Sequence, residues 1–321
     1  MSKDNYTSVN EFLLLGFPQI KGFKTIISFV LIMTVYIITL AINSMIITLV
    51  STRPQLHSPM YYFLQQLSCS ENVFLTVIIP NMLRVIWLEG ATMSIVGCIT
   101  QTYLYCALGC TECNLLTVMS YDRYLAICNP LRYSTIMTIK LQHSLVIYCW
   151  LYGFVIHQIT LYFLCQLQFC RPNVIDHFFC DLDPFIELSC SNTDAVQLEV
   201  FIVAFSVLVI PFILVVISYI CVFTTIIGIS SKTGKMKAFS TCSSHLSVVT
   251  MYYGTLITIY IVPADGRSLT MNKLIALLYT VVTPLFNPII YSLRNQEIRV
   301  IMENIFRSKW PFSKTKHKHE N

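Results

Sequence analysis

Two glutamates, Glu71 and Glu112, interrupt otherwise long apolar stretches of this sequence. A charge inside a hydrocarbon layer is costly, so such groups face a protein interior and either pair or become protonated. Asn43 and Asn287 stand in two other apolar stretches and can supply polar partners. The four side chains therefore predict a buried polar cluster, in which the acids form a protonated, hydrogen-bonded pair or share one proton.

The stretches that carry this cluster are long enough to cross a membrane. The chain has 321 residues, of which 55% are hydrophobic and 12% charged, and its mean hydropathy is +0.66. An ordinary soluble domain has about 25% charged residues, so this composition excludes a soluble enzyme and a disordered chain. A hydrocarbon layer of about 30 Å needs about 20 apolar residues in a helix. Seven spans are predicted, at residues 25–52, 61–87, 95–121, 141–164, 201–229, 238–262 and 274–293.

Basic residues in the connecting segments set the orientation of these spans. Of the 21 Lys and Arg residues, seven fall in the alternate segments that include the N-terminus and fourteen in the other set. The positive-inside rule places the second set in the cytoplasm. The prediction is an all-α, seven-helix bundle in the plasma membrane, with an extracellular tail at residues 1–24. The polar start of this tail predicts no removable signal peptide, and Asn5 begins a glycosylation sequon.

The longest outer segment, residues 165–199, contains four of the thirteen cysteines: Cys165, Cys170, Cys180 and Cys190. Disulfides are allowed on this oxidising side of the membrane. A Cys98–Cys180 bond would tether the segment over the helices, and a Cys170–Cys190 bond would close a smaller ring within it.

His177 gives the same segment an alternative chemistry. Together with the neighbouring cysteines and acids, it could bind a soft or borderline metal ion. Two disulfides and a solvated acidic loop are the preferred interpretation.

Five motifs follow one another along the chain. They are LHSPMYYFL at residues 56–64, MSYDRYLAICNPLRY at 119–133, Ser218-Tyr219, KAFSTCSSHL at 237–246 and PLFNPIIYSLRN at 284–295. This set resembles the olfactory (odorant) receptors, within the rhodopsin-like (class A) G-protein-coupled receptors, over about residues 5–310. Both disulfide pairings fit what the family implies. Two departures concern the inner polar site: Ile42 precedes Asn43 where the family usually has Gly, and Glu71 stands where it usually has Asp.

The resemblance implies a switch at the cytoplasmic end of the third span. In related receptors the arginine at the position of Arg123 is held by the acid at Asp122 in the inactive state and is then released toward the G protein. The positions implied in coupling are Asp122, Arg123, Tyr124, Tyr219, Asn287, Pro288 and Tyr291. From the residues alone, Asp122-Arg123-Tyr124 could instead be a solvated helix end.

The resemblance also equates the inner polar cluster of Asn43, Glu71 and Glu112 with the sodium site of rhodopsin-like receptors. A sodium ion and a proton stay as equal alternatives, and no other cofactor or metal is expected.

Four prolines lie within the spans: Pro80, Pro211, Pro284 and Pro288. Each interrupts the backbone hydrogen bonds of its helix and predicts a kink. Such kinks give helices two available arrangements, although a kink without a switching role is the alternative.

By resemblance, a ligand pocket lies toward the outside, between the third, fifth, sixth and seventh spans. The implied positions are Tyr105, Cys106, Gly109, Cys110, Val203, Val207, Tyr253, Leu256, Tyr260 and Thr280. Tyr105 stands where amine receptors of the superfamily have an acid, so no fixed charge is expected there for an ammonium ligand. The seventh span lacks an internal Lys, which excludes a retinal Schiff base. A small, mostly neutral ligand is implied, although any one of these residues could serve helix packing alone.

The chain after the seventh span, residues 294–321, is predicted to be a cytoplasmic amphipathic helix and a basic tail. Ile298, Ile301 and Ile305 recur at helical spacing, which favours a helix lying along the inner leaflet. Phe306 and Trp310 would strengthen its contact with lipid.

The expected function is that of an odorant receptor acting through a heterotrimeric G protein of the olfactory stimulatory type, which raises cyclic AMP. A receptor for a non-odorant metabolite in another tissue is the alternative. A transporter or channel would need more polar residues than Glu71 and Glu112. No nucleophile with a placed base or phosphate loop is found, so no catalytic residue and no enzyme activity are expected. Membrane lipid is an expected partner and nucleic acid is not.

Overall fold

The computed structural model describes residues 10–169, 173–260, 269–294 and 297–301. Its helices are α1 (Phe23–Thr52), α2 (Pro59–Trp87), α3 (Ile95–Cys128), α4 (Tyr133–Ile136), α5 (Ile139–Leu164), α6 (Leu182–Glu187), α7 (Asp194–Ala204), α8 (Ile210–Gly228), α9 (Lys232–Tyr260), α10 (Leu269–Leu277) and α11 (Thr283–Arg294). Its strands are β1 (Glu11–Leu14), β2 (Ala91–Ser94) and β3 (Val174–Ile175).

Among the described residues, seven long helical runs form a bundle, one for each predicted span. They are α1, α2, α3, α5, α7 with α8, α9, and α10 with α11. Five of these seven runs are apolar enough over a membrane-spanning length to cross a bilayer by composition alone. The other two, α3 and α9, are more polar. In α3 this reflects position, because it packs against α2, α5 and α8 and buries Glu112, Asn114 and Asp122 inside the bundle.

The helices extend beyond the predicted spans. The third run continues from the predicted end at Tyr121 to Cys128, and the fifth begins at Asp194 rather than at residue 201. Hydropathy marks where the membrane ends, whereas a helix can continue into water as long as its backbone hydrogen bonds do.

Two π-helical turns, Phe205–Val209 and Leu278–Val282, join the halves of the fifth and seventh runs. Each turn lies just before a proline, Pro211 or Pro284, at the second residue of the helix that follows. Proline has no N–H and its ring clashes with the preceding turn, so a wider turn accommodates it. The predicted interruptions at these two prolines therefore take the form of π turns.

The third and fourth runs cross closely at Gly153. A Cβ built on Gly153 would lie 2.4 Å from the Oγ1 of Thr111 and 2.6 Å from the carbonyl oxygen of Ala107. The absence of a side chain at Gly153 thus allows α3 and α5 to pack closely. This packing positions α3, which carries most of the functional side chains described below.

A small sheet covers the outer end of the bundle in the strand order β2-β1-β3. Phe12 pairs with Met93 in the antiparallel β1–β2 ladder, and Leu14 pairs with Ile175 in the parallel β1–β3 ladder. Phe12 and Leu14 are fully buried. Part of the segment predicted as an N-terminal tail is therefore a strand, whose alternate side chains pack into the outer core.

Lys273, in the seventh helical run, contacts the segments that carry β1 and β3. Its Nζ lies 2.5 Å from the Oδ1 of Asp176 and donates a hydrogen bond to the carbonyl oxygen of Gly16 at 2.7 Å. Lys273 is almost completely buried. The ammonium thus joins the N-terminal segment, the long outer loop and the bundle.

The long outer loop is packed rather than solvated. Phe178, Phe179, Cys180 and Phe185 are fully buried, because the loop folds inward under the sheet. Of the loop's acids, Asp183, Glu187 and Asp194 are exposed, Asp176 and Asp181 are half-buried and Glu199 is buried. The expectation of a solvated acidic loop therefore holds only for the first three.

A Cys98–Cys180 disulfide, closing a sequence separation of 82 residues, ties this loop to the start of α3. For the second predicted pair, Cys190 is disulfide-bonded, and Cys170 lies outside the described residues. Cys165 is free and exposed.

His177 packs between aromatic rings instead of facing metal ligands. Its ring lies 4.5 Å from that of Phe178 and 4.7 Å from that of Phe179, centroid to centroid. Within the described ranges, no three His, Cys, Asp or Glu side chains come close enough to hold a metal ion.

Candidate functional site

A cavity of about 150 Å³ lies in the outer half of the bundle. Its walls come from α3, α5, α7, α9 and the seventh helical run, and its roof comes from the start of α6. Seven of the predicted pocket residues line it: Tyr105, Cys106, Gly109, Cys110, Val203, Val207 and Leu256. A Cβ built on Gly109 would meet no atom within 4 Å, because the cavity opens beside it.

The remaining predicted pocket residues are placed differently. Tyr253 packs against Phe212 with ring centroids 5.1 Å apart, and the neighbouring Tyr252 lines the cavity instead. The hydroxyl of Thr280 donates to the carbonyl oxygen of Ala276 at 2.7 Å, outside the lining. The π turn at Leu278–Val282 shifts the register of the seventh run and so explains this difference at Thr280. The side chain of the last one, Tyr260, lies outside the described part of the structure.

Tyr252 links α9 to α3 at the floor of the cavity. Its hydroxyl donates to the carbonyl oxygen of Gly109 at 2.9 Å and lies 3.3 Å from the sulfur of Cys113. The sixth helical run thus contacts the third beside the space that a ligand would fill.

Asp181 forms the roof of the cavity directly above Tyr105. The hydroxyl of Tyr105 donates to the Oδ1 of Asp181 at 2.7 Å, and the backbone N–H of Leu182 donates to the same oxygen at 2.8 Å. Burial raises the pKa of Asp181, and the two hydrogen bonds oppose that shift. A carboxyl group therefore stands at the position where the sequence predicts no fixed charge.

Asp183 also lines the cavity, two residues further along the roof. Its pKa is raised to about 6, mainly because the surrounding protein removes part of the water around the carboxylate and further by the charge of Asp181, although the residue keeps contact with solvent. Two carboxyl groups thus face one small space from the same side.

The inner polar cluster lies deeper in the bundle. The amide of Asn287 donates to the Oε1 of Glu71 at 2.6 Å, and Asn43 is close enough to Glu71 for a weaker contact. Glu112 interacts electrostatically with Glu71 and contacts Ser70. The structure therefore brings together all four residues that the sequence assigned to this cluster.

Several oxygen atoms of this cluster are buried with no hydrogen-bond donor among the described residues. They are the Oδ1 atoms of Asn43 and Asn287, the Oγ of Ser70 and the Oε1 of Glu112. Carboxylate, amide and hydroxyl oxygens are the donor atoms that hard cations prefer. The residues present thus fit a sodium ion, and they equally fit protons placed on the two acids.

Asp122 and Arg123 form an ion pair at the cytoplasmic end of α3. Asp122 is fully buried, and the hydroxyl of Tyr133 in α4 donates to its Oδ1 at 2.7 Å. The pair is therefore enclosed by a neighbouring helix, which excludes the alternative of a solvated helix end.

Three side chains from other helices lie within electrostatic range of Arg123. They are Tyr219, His245 and Tyr291. The hydroxyl of Tyr219 lies 2.5 Å from the Nδ1 of His245, and the two rings are stacked. The fifth and sixth runs thus contact each other through Tyr219 and His245, within electrostatic range of the arginine on the third run.

The family comparison decides the identity of this arrangement. The family model described as "Olfactory receptor" matches residues 32–309. The chain belongs to the olfactory receptor family. Human olfactory receptor 11H7 is 43% identical over 306 residues, which cover 95% of this chain and 97% of that protein. Human olfactory receptor 6B1 is 42% identical with the same coverages, and mouse olfactory receptor 6B9 is 42% identical, covering 92% and 93%.

A solved structure shows the fold of this olfactory receptor. The crystal structure of squid rhodopsin matches with a TM-score of 0.72 at 15% identity, covering 91% of this chain and 82% of that chain. Our chain therefore has the seven-helix rhodopsin-like fold, and its membership of the olfactory receptor family makes it a receptor and not an enzyme. With its apolar helices, it is a multi-pass protein of the plasma membrane.

The olfactory receptor continues beyond the seventh run into a helical segment at residues 297–301. Ile298 is fully buried and Ile301 packs against the same cytoplasmic core. Glu297 accepts a hydrogen bond from the hydroxyl of Tyr61 at 2.7 Å. The predicted membrane-facing residues Ile305, Phe306 and Trp310, like Asn5, lie outside the described residues.

Sequence reasoning missed the acids of the cavity roof. Asp181 and Asp183 belong to an acidic segment that, read alone, indicates a solvated surface. The predicted bond between Cys98 and Cys180 could have located them, because it brings the residues that follow Cys180 over the outer end of α3. His245 belongs to the motif at residues 237–246, but that motif does not predict the contact of His245 with Tyr219.

Proposed function

We propose that this olfactory receptor binds a small odorant in the cavity under α6 and then activates a heterotrimeric G protein of the olfactory stimulatory type, raising cyclic AMP. The observation that carries the proposal is that the cavity and the Asp122–Arg123 pair lie on the same helix. Tyr105 and Arg123 are eighteen residues apart, so α3 connects the two sites over about 27 Å.

The size of the cavity limits the odorant. Its volume is about 150 Å³, and an engineered cavity of roughly that volume in another protein holds benzene. Odorants with a ring or a short chain of similar bulk fit this space, whereas larger ones require the helices to separate.

An occupied cavity can change the helix arrangement through the fifth run. Val203 and Val207 line the cavity, and Val207 belongs to the π turn before Pro211. A π turn holds one extra residue per turn and can exchange with regular helix. A ligand that fits one of the two arrangements better shifts the population toward it by its differential affinity.

The inner polar cluster is proposed to hold either a sodium ion or a proton, and that occupant stabilises the inactive arrangement. The oxygen atoms without donors around Glu71 and Glu112 support both occupants equally. Replacing sodium chloride with potassium chloride at constant ionic strength separates them. Sodium binding predicts higher odorant potency in potassium, and a proton predicts no change.

The coupling proposal is tested in cells that express the receptor with the olfactory G protein. Cyclic AMP is measured against a broad odorant panel, beside Arg123→Ala and the control Arg132→Ala. Arg132 is exposed in the cytoplasmic loop, so its removal takes the same charge without touching the ion pair. A response lost only in Arg123→Ala supports the proposal. A response unchanged in Arg123→Ala, or none at all despite surface expression, contradicts it.

A further inference from the structure

The cavity is acidic, although the sequence predicts a mostly neutral site. Glu112, Asp181 and Asp183 line it, and Glu199 stands close enough to interact with Cys106 in its wall, as do both aspartates. No Lys or Arg occurs among the described residues that line it. Three carboxyl groups thus line one small space, and no Lys or Arg of those walls compensates them.

Asp183, in the first turn of α6, is the carboxyl group of the roof that makes no side-chain hydrogen bond within the described part of the chain. Asp181 is engaged with Tyr105 and with the backbone of α6. Asp183 forms no hydrogen bond or ion pair with the described residues, and its side chain is exposed where it lines the cavity. A ligand that carries a donor or a positive charge can therefore reach it.

Buried acids provide a second, independent observation. Glu112 is 3% exposed and Glu199 is 9% exposed, and one oxygen of each lacks a hydrogen-bond donor within the described part of the chain. A buried polar atom without a partner is unfavourable. Of these two acids, Glu112 lines the inner end of the same cavity, so a ligand that carries N–H donors would meet one group that the protein itself leaves without a donor.

The opposite wall is apolar. Val203, Val207 and Leu256 line it and can contact a hydrocarbon group. The site thus combines acids at the roof and inner end with an apolar side, within a volume of about 150 Å³.

We propose that the preferred ligand of this cavity is a small protonated amine, with its ammonium group against Asp183 and its hydrocarbon part against Val203, Val207 and Leu256. The inference names the ligand class of the proposed odorant site and rests on that proposed function. An ammonium has three N–H donors and no acceptor, so it matches carboxyl groups and excludes carboxylic acids of the same size.

The first test compares two probes of equal shape. Benzylamine is protonated at neutral pH and benzyl alcohol is neutral, and both are close to the size of the cavity. The cyclic AMP response is measured for both probes in the wild type, in Asp183→Asn and in Glu187→Gln. Glu187 ends the same short helix and is not part of the cavity lining, so it controls for the loss of one outer charge.

The expected result is a half-maximal concentration for benzylamine about tenfold or more below that for benzyl alcohol, since a charge-assisted hydrogen bond is roughly twice as strong as a neutral one. Asp183→Asn should remove this difference by raising the half-maximal concentration of benzylamine. Glu187→Gln should change neither probe's half-maximal concentration. Equal potency of the two probes in the wild type would overturn the proposal.

A second test measures binding without the G protein. Benzylamine should raise the thermal unfolding temperature of the solubilised full-length receptor more than benzyl alcohol does, and Asp183→Asn should abolish the difference. If neutral odorants stimulate cyclic AMP but benzylamine gives no stabilisation, the amine inference fails and the receptor function stands. If benzylamine stabilises the receptor but no probe raises cyclic AMP, the inference stands and the proposed coupling fails.

Discussion

Replacing Tyr133 with Phe should raise the activity of the receptor in the absence of odorant. The hydroxyl of Tyr133 donates to the Oδ1 of the fully buried Asp122 at 2.7 Å. The pKa of Tyr133 is raised by burial and by the negative charge of Asp122, so the hydroxyl keeps its proton and remains a donor. Tyr133→Phe removes this one bond and keeps the ring.

The size of the effect follows from the strength of that bond. A hydrogen bond to a charged group contributes about 1.5–3 kcal/mol. Tyr133 is half-buried, so the lower end of this range applies. If the bond exists only while Asp122 holds Arg123, its loss favours the active arrangement by about 1.5 kcal/mol, which is a factor of about 12 in population. Basal cyclic AMP should rise by up to that factor, limited by the fully stimulated level.

The assay measures basal cyclic AMP per receptor at the cell surface, with Tyr121→Phe as the matched control. Tyr121 lies at the same end of α3 and stacks on Tyr124, and its hydroxyl forms no hydrogen bond with the described residues. The control should match the wild type. Wild-type basal activity in Tyr133→Phe at equal surface expression would refute the reasoning, because the bond would then not distinguish the two arrangements.

Three further variants test the packing around the sites. Gly153→Val should force α3 and α5 apart and lower the stability of the receptor by about 1–3 kcal/mol, which would reduce its surface expression. Gly228→Val is the control and should not reduce expression, because a Cβ added at Gly228 meets no atom within 4 Å. Cys98→Ser should cost about 4–5 kcal/mol by the chain-entropy estimate for a separation of 82 residues and abolish the odorant response, while Cys165→Ser should leave it intact. Burial and the charge of a nearby lysine lower the pKa of His177 to about 4, so the receptor should lose about 3 kcal/mol as pH falls from about 6.5 to 4. His177→Phe should flatten the pH dependence of thermal unfolding over that range, and an unchanged profile would exclude His177 as its source.

The seven helices and the inner polar cluster could be predicted from the sequence because their signals are strong and local. Long apolar stretches mark the spans, and an acid such as Glu71 within a span must face the interior. Asn287 lies on a different span, and the two side chains can meet only where both spans face the interior of the bundle.

The roof of the cavity could not be predicted in the same way. The position of Asp181 and Asp183 depends on how the outer loop folds inward after Cys180, and no periodic pattern encodes that path. The strand Glu11–Leu14 is too short for its alternation to stand out in the sequence. In the seventh run, one π turn moves Tyr279 and Thr283 into the lining, where a regular helix would place Thr280.

The most direct test of the account is to fill the cavity from within. Gly109 lines the cavity, and a Cβ built on it meets no atom within 4 Å. Gly254 in α9 faces outward and is not part of the lining, and a Cβ built on it also meets no atom within 4 Å. Cyclic AMP responses to an activating odorant are therefore measured in Gly109→Leu and in Gly254→Leu at equal surface expression. The account predicts that Gly109→Leu loses the response and that Gly254→Leu keeps it. A full response in Gly109→Leu would show that the odorant acts from somewhere other than this cavity.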